Sequence, residues 1–244
     1  MVLTLRTPAW VLIGILQPLA YLFLFGPLLV SVVNHTPGFP PGSAWTVLTP
    51  GLIVMTATFV GAFASGGLLV EYRAGVLDRW RVTPMSRTAL LLGKVMANAA
   101  QALMQAVLLI AVVLVLFDLD TTVTGILVSL LIVFLLTSTL AAASFALALQ
   151  LKNEAAMPPL LNIVLMPLML LSGILIPVTG QLAPAWLYGI SKFNPFLYVV
   201  EALRAAMRGD LTSSALVIGG TALVAMFALA VLWGARMFQR LDAS

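Results

Sequence analysis

Six stretches of this chain are each apolar over about the length a helix needs to cross a bilayer, and this pattern constrains the fold more than any motif does. A hydrocarbon core of about 30 Å takes roughly 20 predominantly apolar residues. The runs are Ala9–Val33, Val47–Val70, Val95–Phe117, Val123–Leu149, Met157–Ile176 and Ser214–Ala235. Only 8% of the residues are charged, against about a quarter in soluble domains. The expected fold is therefore all-α, a polytopic membrane protein with six transmembrane helices. The chain has no cysteine, which excludes disulfides, thiolate chemistry and Cys-rich metal sites.

Basic residues mark the cytoplasmic side of short membrane loops. With the N-terminus inside, Arg6, Arg73, Arg79, Arg81, Arg87, Lys94, Lys152, Arg236 and Arg240 lie inside, and Lys192, Arg204 and Arg208 outside, nine against three. Both termini are expected in the cytoplasm, and the protein in the cell membrane. The net charge of +4 follows from this asymmetry and is no sign of nucleic-acid binding. The two halves show no repeat of the kind that builds many secondary transporters. Two places stand out instead, one inner loop and one outer region.

The inner loop, Glu71 to Arg87, is a charged island between two apolar runs. It cannot enter lipid and is too short to be a domain. From Ala74 to Arg81 the spacing is compatible with a helix, Val76, Leu77 and Trp80 forming an apolar stripe and Asp78, Arg79 and Arg81 facing water or a partner, until Pro84 stops it. The expected product is a short amphipathic helix along the inner surface that docks a soluble partner. A connector held by lipid headgroups through its arginines is the other reading.

The outer region runs from Leu171 to Leu211. Ser172, Gly173 and Pro177 interrupt the fifth run, and Pro184 and Trp186 follow in a segment too apolar for an ordinary loop. Broken backbone at membrane depth needs cover from protein or water, so an extracellular re-entrant hairpin before the sixth span is expected, with Trp186 at the interface. Asn194 and Pro195 read as an N-cap and first helical residue, and Gly209 as the stop. Glu201, Arg204 and Arg208 share one face of that helix, as a gate, a substrate contact or a self-paired stripe at the outer water boundary. On the third span Lys94, Asn98, Gln101 and Gln105 also fall on one side. They form either a polar wall of a translocation route or a set of interhelical hydrogen bonds.

No Asp, Glu or His lies in the middle of a span, which argues against coupling to an ion gradient. GxxxxGK[ST], the phosphate cradle of ATP hydrolysis, does not occur. His35 has no second ligand near it in sequence, and Ser65, Ser138, Ser144 and Ser172 have no candidate base within the spans. The chain is expected to hold no catalytic, cofactor or metal site and to take its energy from a partner.

The order Glu71-x-Arg73-x-Gly75, Arg79, Arg81, Thr83-Pro84, Arg87 and Gly93-Lys94 resembles the inner-loop signature of type 2 ABC (ABC-2) exporter permeases, the group containing the daunorubicin-resistance membrane subunits. Leu171-Ser172-Gly173, Ile176-Pro177, Pro184-x-Trp186-Leu187, Asn194-Pro195 and Arg204 with Gly209 agree farther along, as do Arg6-x-Pro8, Gln17-Pro18, Leu24-Phe25-Gly26 and Pro50-Gly51. The resemblance covers nearly the whole chain and implies one ABC-2 transmembrane domain over residues 1–244. Relatives carry an amphipathic surface helix before the first span. Here eight residues precede Ala9, so that helix, with what it contributes to contact with the ATPase, is expected to be short or absent.

The resemblance implies a half-transporter. Two permease copies, expected to be a homodimer, pair above two separate ATPase subunits, which bind ATP and Mg. The island becomes a coupling helix comprising Glu71, Arg73, Gly75, Asp78, Arg79, Trp80, Arg81 and Arg87, with Trp80 as apolar anchor. The expected cargo is a hydrophobic or amphipathic molecule, drug-like, antibiotic or lipid-like, since the chain's leucines, valines, phenylalanines and eleven methionines suit varied shapes. An ATP-independent carrier or channel, and a non-transporting scaffold or immunity protein, are the readings from other classes.

Overall fold

A computed structural model describes residues 8–35, 43–73, 87–117, 119, 121–151, 153 and 155–240. Every regular element among them is a helix: α1 (Pro8–His35), α2 (Ala44–Ala62), α3 (Ser65–Arg73), α4 (Arg87–Leu116), α5 (Val123–Leu151), α6 (Met157–Leu170), α7 (Ala185–Ser191), α8 (Pro195–Met207) and α9 (Ser214–Arg240). Four segments of the described residues are long and apolar enough to cross a membrane: Ala44–Val70, Leu91–Leu116, Val123–Leu151 and Ser214–Met237. Helix α1 is 28 residues long, with an apolar stretch over Gly14–Val30 within its described side chains, and the apolar helix Met157–Leu170, α6, is shorter.

Between transmembrane helices there is little hydrophobic driving force, so close backbone approach and interhelical hydrogen bonds must hold the bundle. Helix α5 is central, packing on α2, α4, α8 and α9. Its buried Ala141, Ala142, Ala146 and Ala148 let neighbours come close. Helix α2 is the most enclosed, buried from Ala44 to Thr58 apart from Trp45. At one end of the bundle the Trp45 ring stacks on Phe117 at 4.0 Å between centroids and lies against Gly26, where a side chain would collide with it. That contact joins α1, α2 and α4.

The second apolar run is two helices, broken at Phe63–Ala64. The Gly66 N–H turns back to the Phe63 carbonyl, and the Ala62 carbonyl is taken by the Ser144 hydroxyl of α5. A freed carbonyl in a bilayer needs such a partner. Gly66 and Gly67, with open space where a Cβ would stand, lower the helix propensity just past the break.

The fifth run also differs from expectation. Its helix stops at Leu170, six residues before Ile176, leaving 14 residues. At 1.5 Å per residue that is about 21 Å, short of a hydrocarbon core of about 30 Å. The Leu171 N–H bonds the Pro167 carbonyl at 3.0 Å, the Ser172 hydroxyl donates to the Met169 carbonyl at 2.6 Å, and Gly173 enters the left-handed region at φ +71°. The chain then turns inward and not outward, for Ile174 and Pro177 are buried. Helix α6 meets the bundle along one stripe, Met157, Leu161 and Leu165, beside Ala62, Leu69 and Ala148. Its outer face of Ile163, Val164, Met166 and Leu170 is exposed.

Candidate functional site

Helix α8, with α7 and the turn before it, sits at the end of the bundle that carries Thr122, which faces Gly209 just past α8. Asn194 organises the junction. Its side-chain oxygen accepts the Phe196 N–H at 3.0 Å, capping α8 with Pro195 at the first position. Its amide donates to the Leu168 carbonyl at 2.6 Å, tying α8 to the last turn of α6. At the other end Gly209, at φ +76°, donates to the Ala206 carbonyl and Asp210 to the Ala205 carbonyl, at 2.9 and 3.0 Å. This is the paired 5→2 and 6→1 closure that a left-handed residue after a helix allows. The sequence reading of cap, start and stop holds at all three residues.

The charged face of α8 does not lie at a water boundary throughout. Glu201 and Arg208 are half-buried, but Arg204 is 3% exposed. Its guanidinium donates from Nε to the Val47 carbonyl at 3.1 Å and from Nη2 to the Gly173 carbonyl at 2.6 Å, with Ile174 O farther off at 3.5 Å. One planar fork thus spans α8, the first turn of α2 and the broken end of the fifth run. Buried guanidinium is tolerated because carbonyl dipoles replace its hydration. Beside it the Ile174 carbonyl rests on the backbone of Gly51, where a Cβ would collide with it. Trp186 is 67% exposed, and Lys192 lies over the Tyr188 ring at 4.5 Å.

The polar side of α4 is divided. Lys94, Asn98 and Gln101 are half-buried and Gln105 is fully buried. The Asn98 amide donates to the Lys94 carbonyl of its own helix at 2.9 Å. The Gln105 amide fills the space left by the missing side chain of Gly14 on α1. At this position the stripe is a helix contact and not an open wall.

At the opposite end, Glu71 and Arg73 fall in the last turn of α3, and Arg87 is the first residue of α4. Gly75, Asp78, Arg79, Trp80 and Arg81 lie outside the described residues. The described ends of the island thus lie on α3, which follows α2 after the break at Phe63–Ala64, and on the first residue of α4. A model of the family described as ABC-2 type transporter matches residues 1–207.

The chain belongs to the ABC-2 type transporter family.

Three related proteins bear the name "Putative transport permease ycf38". That of Porphyra purpurea is 30% identical over 202 residues, covering 82% of this chain and 68% of the relative. That of Pyropia yezoensis is 28% identical over 202 residues with the same coverage, and that of Cyanophora paradoxa 28% over 201. This ABC-2 chain is thus a multi-pass membrane transport permease, the membrane domain of such a transporter and not its ATPase. In the family, an ATP-binding subunit is the general partner of such a permease.

Sequence reasoning missed two contacts of this permease: the seat of Ile174 on Gly51, and the carbonyls that hold Arg204. Pro50-Gly51 inside an apolar helix was the available signal for the first. The second had none, since backbone acceptors carry no residue type.

Proposed function

We propose that this permease exports a hydrophobic or amphipathic molecule, drug-like, antibiotic or lipid-like, with ATP hydrolysed by a separate ATPase. Two identical copies pair in the cell membrane with both termini in the cytoplasm, and two ATPase subunits sit beneath them. Residues 71–87 are the coupling segment, and the segment from Leu171 to Leu211 is the outer re-entrant hairpin that gates release. Nucleotide-driven closure of the ATPase pair pushes the coupling segment, and the helices attached to it tilt.

The observation that carries this reading is the family match together with the placement of the charged island. Glu71 and Arg73 close α3 just past one membrane-crossing segment, and Arg87 opens α4 just before the next, so a force on the island enters the bundle at both ends. In the docked state Arg79 and Arg81 face acidic groups of the ATPase and Trp80 fills an apolar pocket.

The test is Arg79→Glu with Arg81→Glu, assayed in inverted vesicles with a hydrophobic dye and a fluorescent phospholipid as probes. The double variant inserts normally and loses ATP-dependent transport of whichever probe the native complex moves. Transport at the native rate by the variant would remove the docking role.

A further inference from the structure

Arg204 is the one fully buried cation among the described residues, and the uses proposed so far leave it without a role. It bridges three elements that are remote in sequence. Its own helix α8 is the rigid arm of the hairpin, capped by Asn194 and closed at Gly209. The Val47 carbonyl belongs to the first turn of α2, the helix whose continuation through α3 ends in Glu71 and Arg73. The Gly173 carbonyl belongs to the turn that ends the fifth run. Contact of Gly51 with the Ile174 carbonyl joins the same two pieces a second time, without any side chain.

From this arrangement we infer that Arg204 is a positioning residue that makes the outer hairpin move as one body with α2, so that tilting of the coupling segment is delivered to the outer gate. The inference rests on the coupled-permease reading above. Two features of the chemistry suit the role. A guanidinium can address two separate carbonyls from fixed positions, which an ammonium on a flexible stem holds far less rigidly. Helix α2 is enclosed by its neighbours almost throughout, so its outer end needs a specific bond to carry its displacement to a segment 126 residues on (Val47 to Gly173). Release of that bond leaves only the Gly51–Ile174 contact and side-chain packing between α2 and the hairpin, too little to keep α2 from tilting beneath it.

The native chain contains no cysteine, so spin labels can be placed at Ser43, just before α2, and at Gln181, in the hairpin, both exposed. Distances between them are measured in the purified permease–ATPase complex, nucleotide-free and trapped with ATP and vanadate. With Arg204 present, the distance distribution is narrow and the same in both states. With Arg204→Lys it widens and shifts between the two states, while ATPase binding persists. Gly51→Ala, which pushes on the Ile174 carbonyl and keeps the guanidinium, gives the same loosening by an independent route and covers the case in which the Arg204 variant fails to fold.

A merely structural role would lower thermal stability without making the distance depend on nucleotide. Unaltered distributions in both variants, or a native distance that itself changes with nucleotide, would overturn the inference. Failure of the native protein to bind any ATPase would overturn the coupled-permease reading instead, and the nucleotide-free widths would still decide whether Arg204 holds the hairpin on α2.

Discussion

Asn194→Ala removes both ends of one side chain's work, and the two losses can be sized separately. The cap on the Phe196 N–H at 3.0 Å is worth about 1 kcal/mol. The bond to the Leu168 carbonyl at 2.6 Å leaves a buried acceptor when it goes, costing about 1–3 kcal/mol. Together these give about 2–4 kcal/mol, which for a domain of this size lowers Tm by about 5–15 °C. Asn194→Ser retains an oxygen for the cap but is too short to reach Leu168, so it recovers only the first part, about 1 kcal/mol. Thermal unfolding of the purified protein in detergent, followed by tryptophan fluorescence, reads all three proteins under one condition. A melting point for Asn194→Ala within about 2 °C of native, where one kcal/mol alone moves it that far, would refute the reasoning. So would a serine variant no better than alanine.

Ser144→Ala strands the Ala62 carbonyl at the break between α2 and α3, and the same melting assay reads a loss of about 1–2 kcal/mol. Replacing Asn98, Gln101 and Gln105 together by leucine tests the polar side of α4. If these residues line the route, transport of the dye and phospholipid probes changes in rate or selectivity, and an unchanged profile reduces the stripe to packing. Gly14→Ala displaces the Gln105 amide. Because only the flexible end of that side chain must move, the cost stays near that of an ordinary overpacked contact, about 1 kcal/mol in the melting assay.

Hydropathy made most of the architecture legible, since Val123–Leu151 and Ser214–Arg240 start with their apolar runs and end two and five residues past them, while the helix from Arg87 to Leu116 begins eight residues before its run. The same signal extended the fifth helix to Ile176. Burial by protein and burial by lipid select the same side chains, and Ile174 and Pro177 are buried by the bundle. The break at Phe63–Ala64 was invisible for a related reason, because the apolar run continues through it while the backbone bonds shift to Ser144 and Phe63. Local rules worked where the partners are local, as at Asn194, Pro195 and Gly209. They did not reach Arg204, which spacing put on one face with Glu201 and Arg208, as a gate, a substrate contact or a self-paired stripe, with no sign of its carbonyl partners. Its acceptors lie 157 and 31 positions away, and only the folded chain brings them to it.

The proposed engagement of residues 71–87 with an ATPase is read most directly by a photo-crosslink from that segment. A photoreactive residue in place of Trp80, activated in intact membranes, is predicted to yield a covalent adduct with a protein that 8-azido-ATP also labels. An adduct formed with lipid alone, in membranes where the ATPase is present and assembled with the permease, would contradict the account.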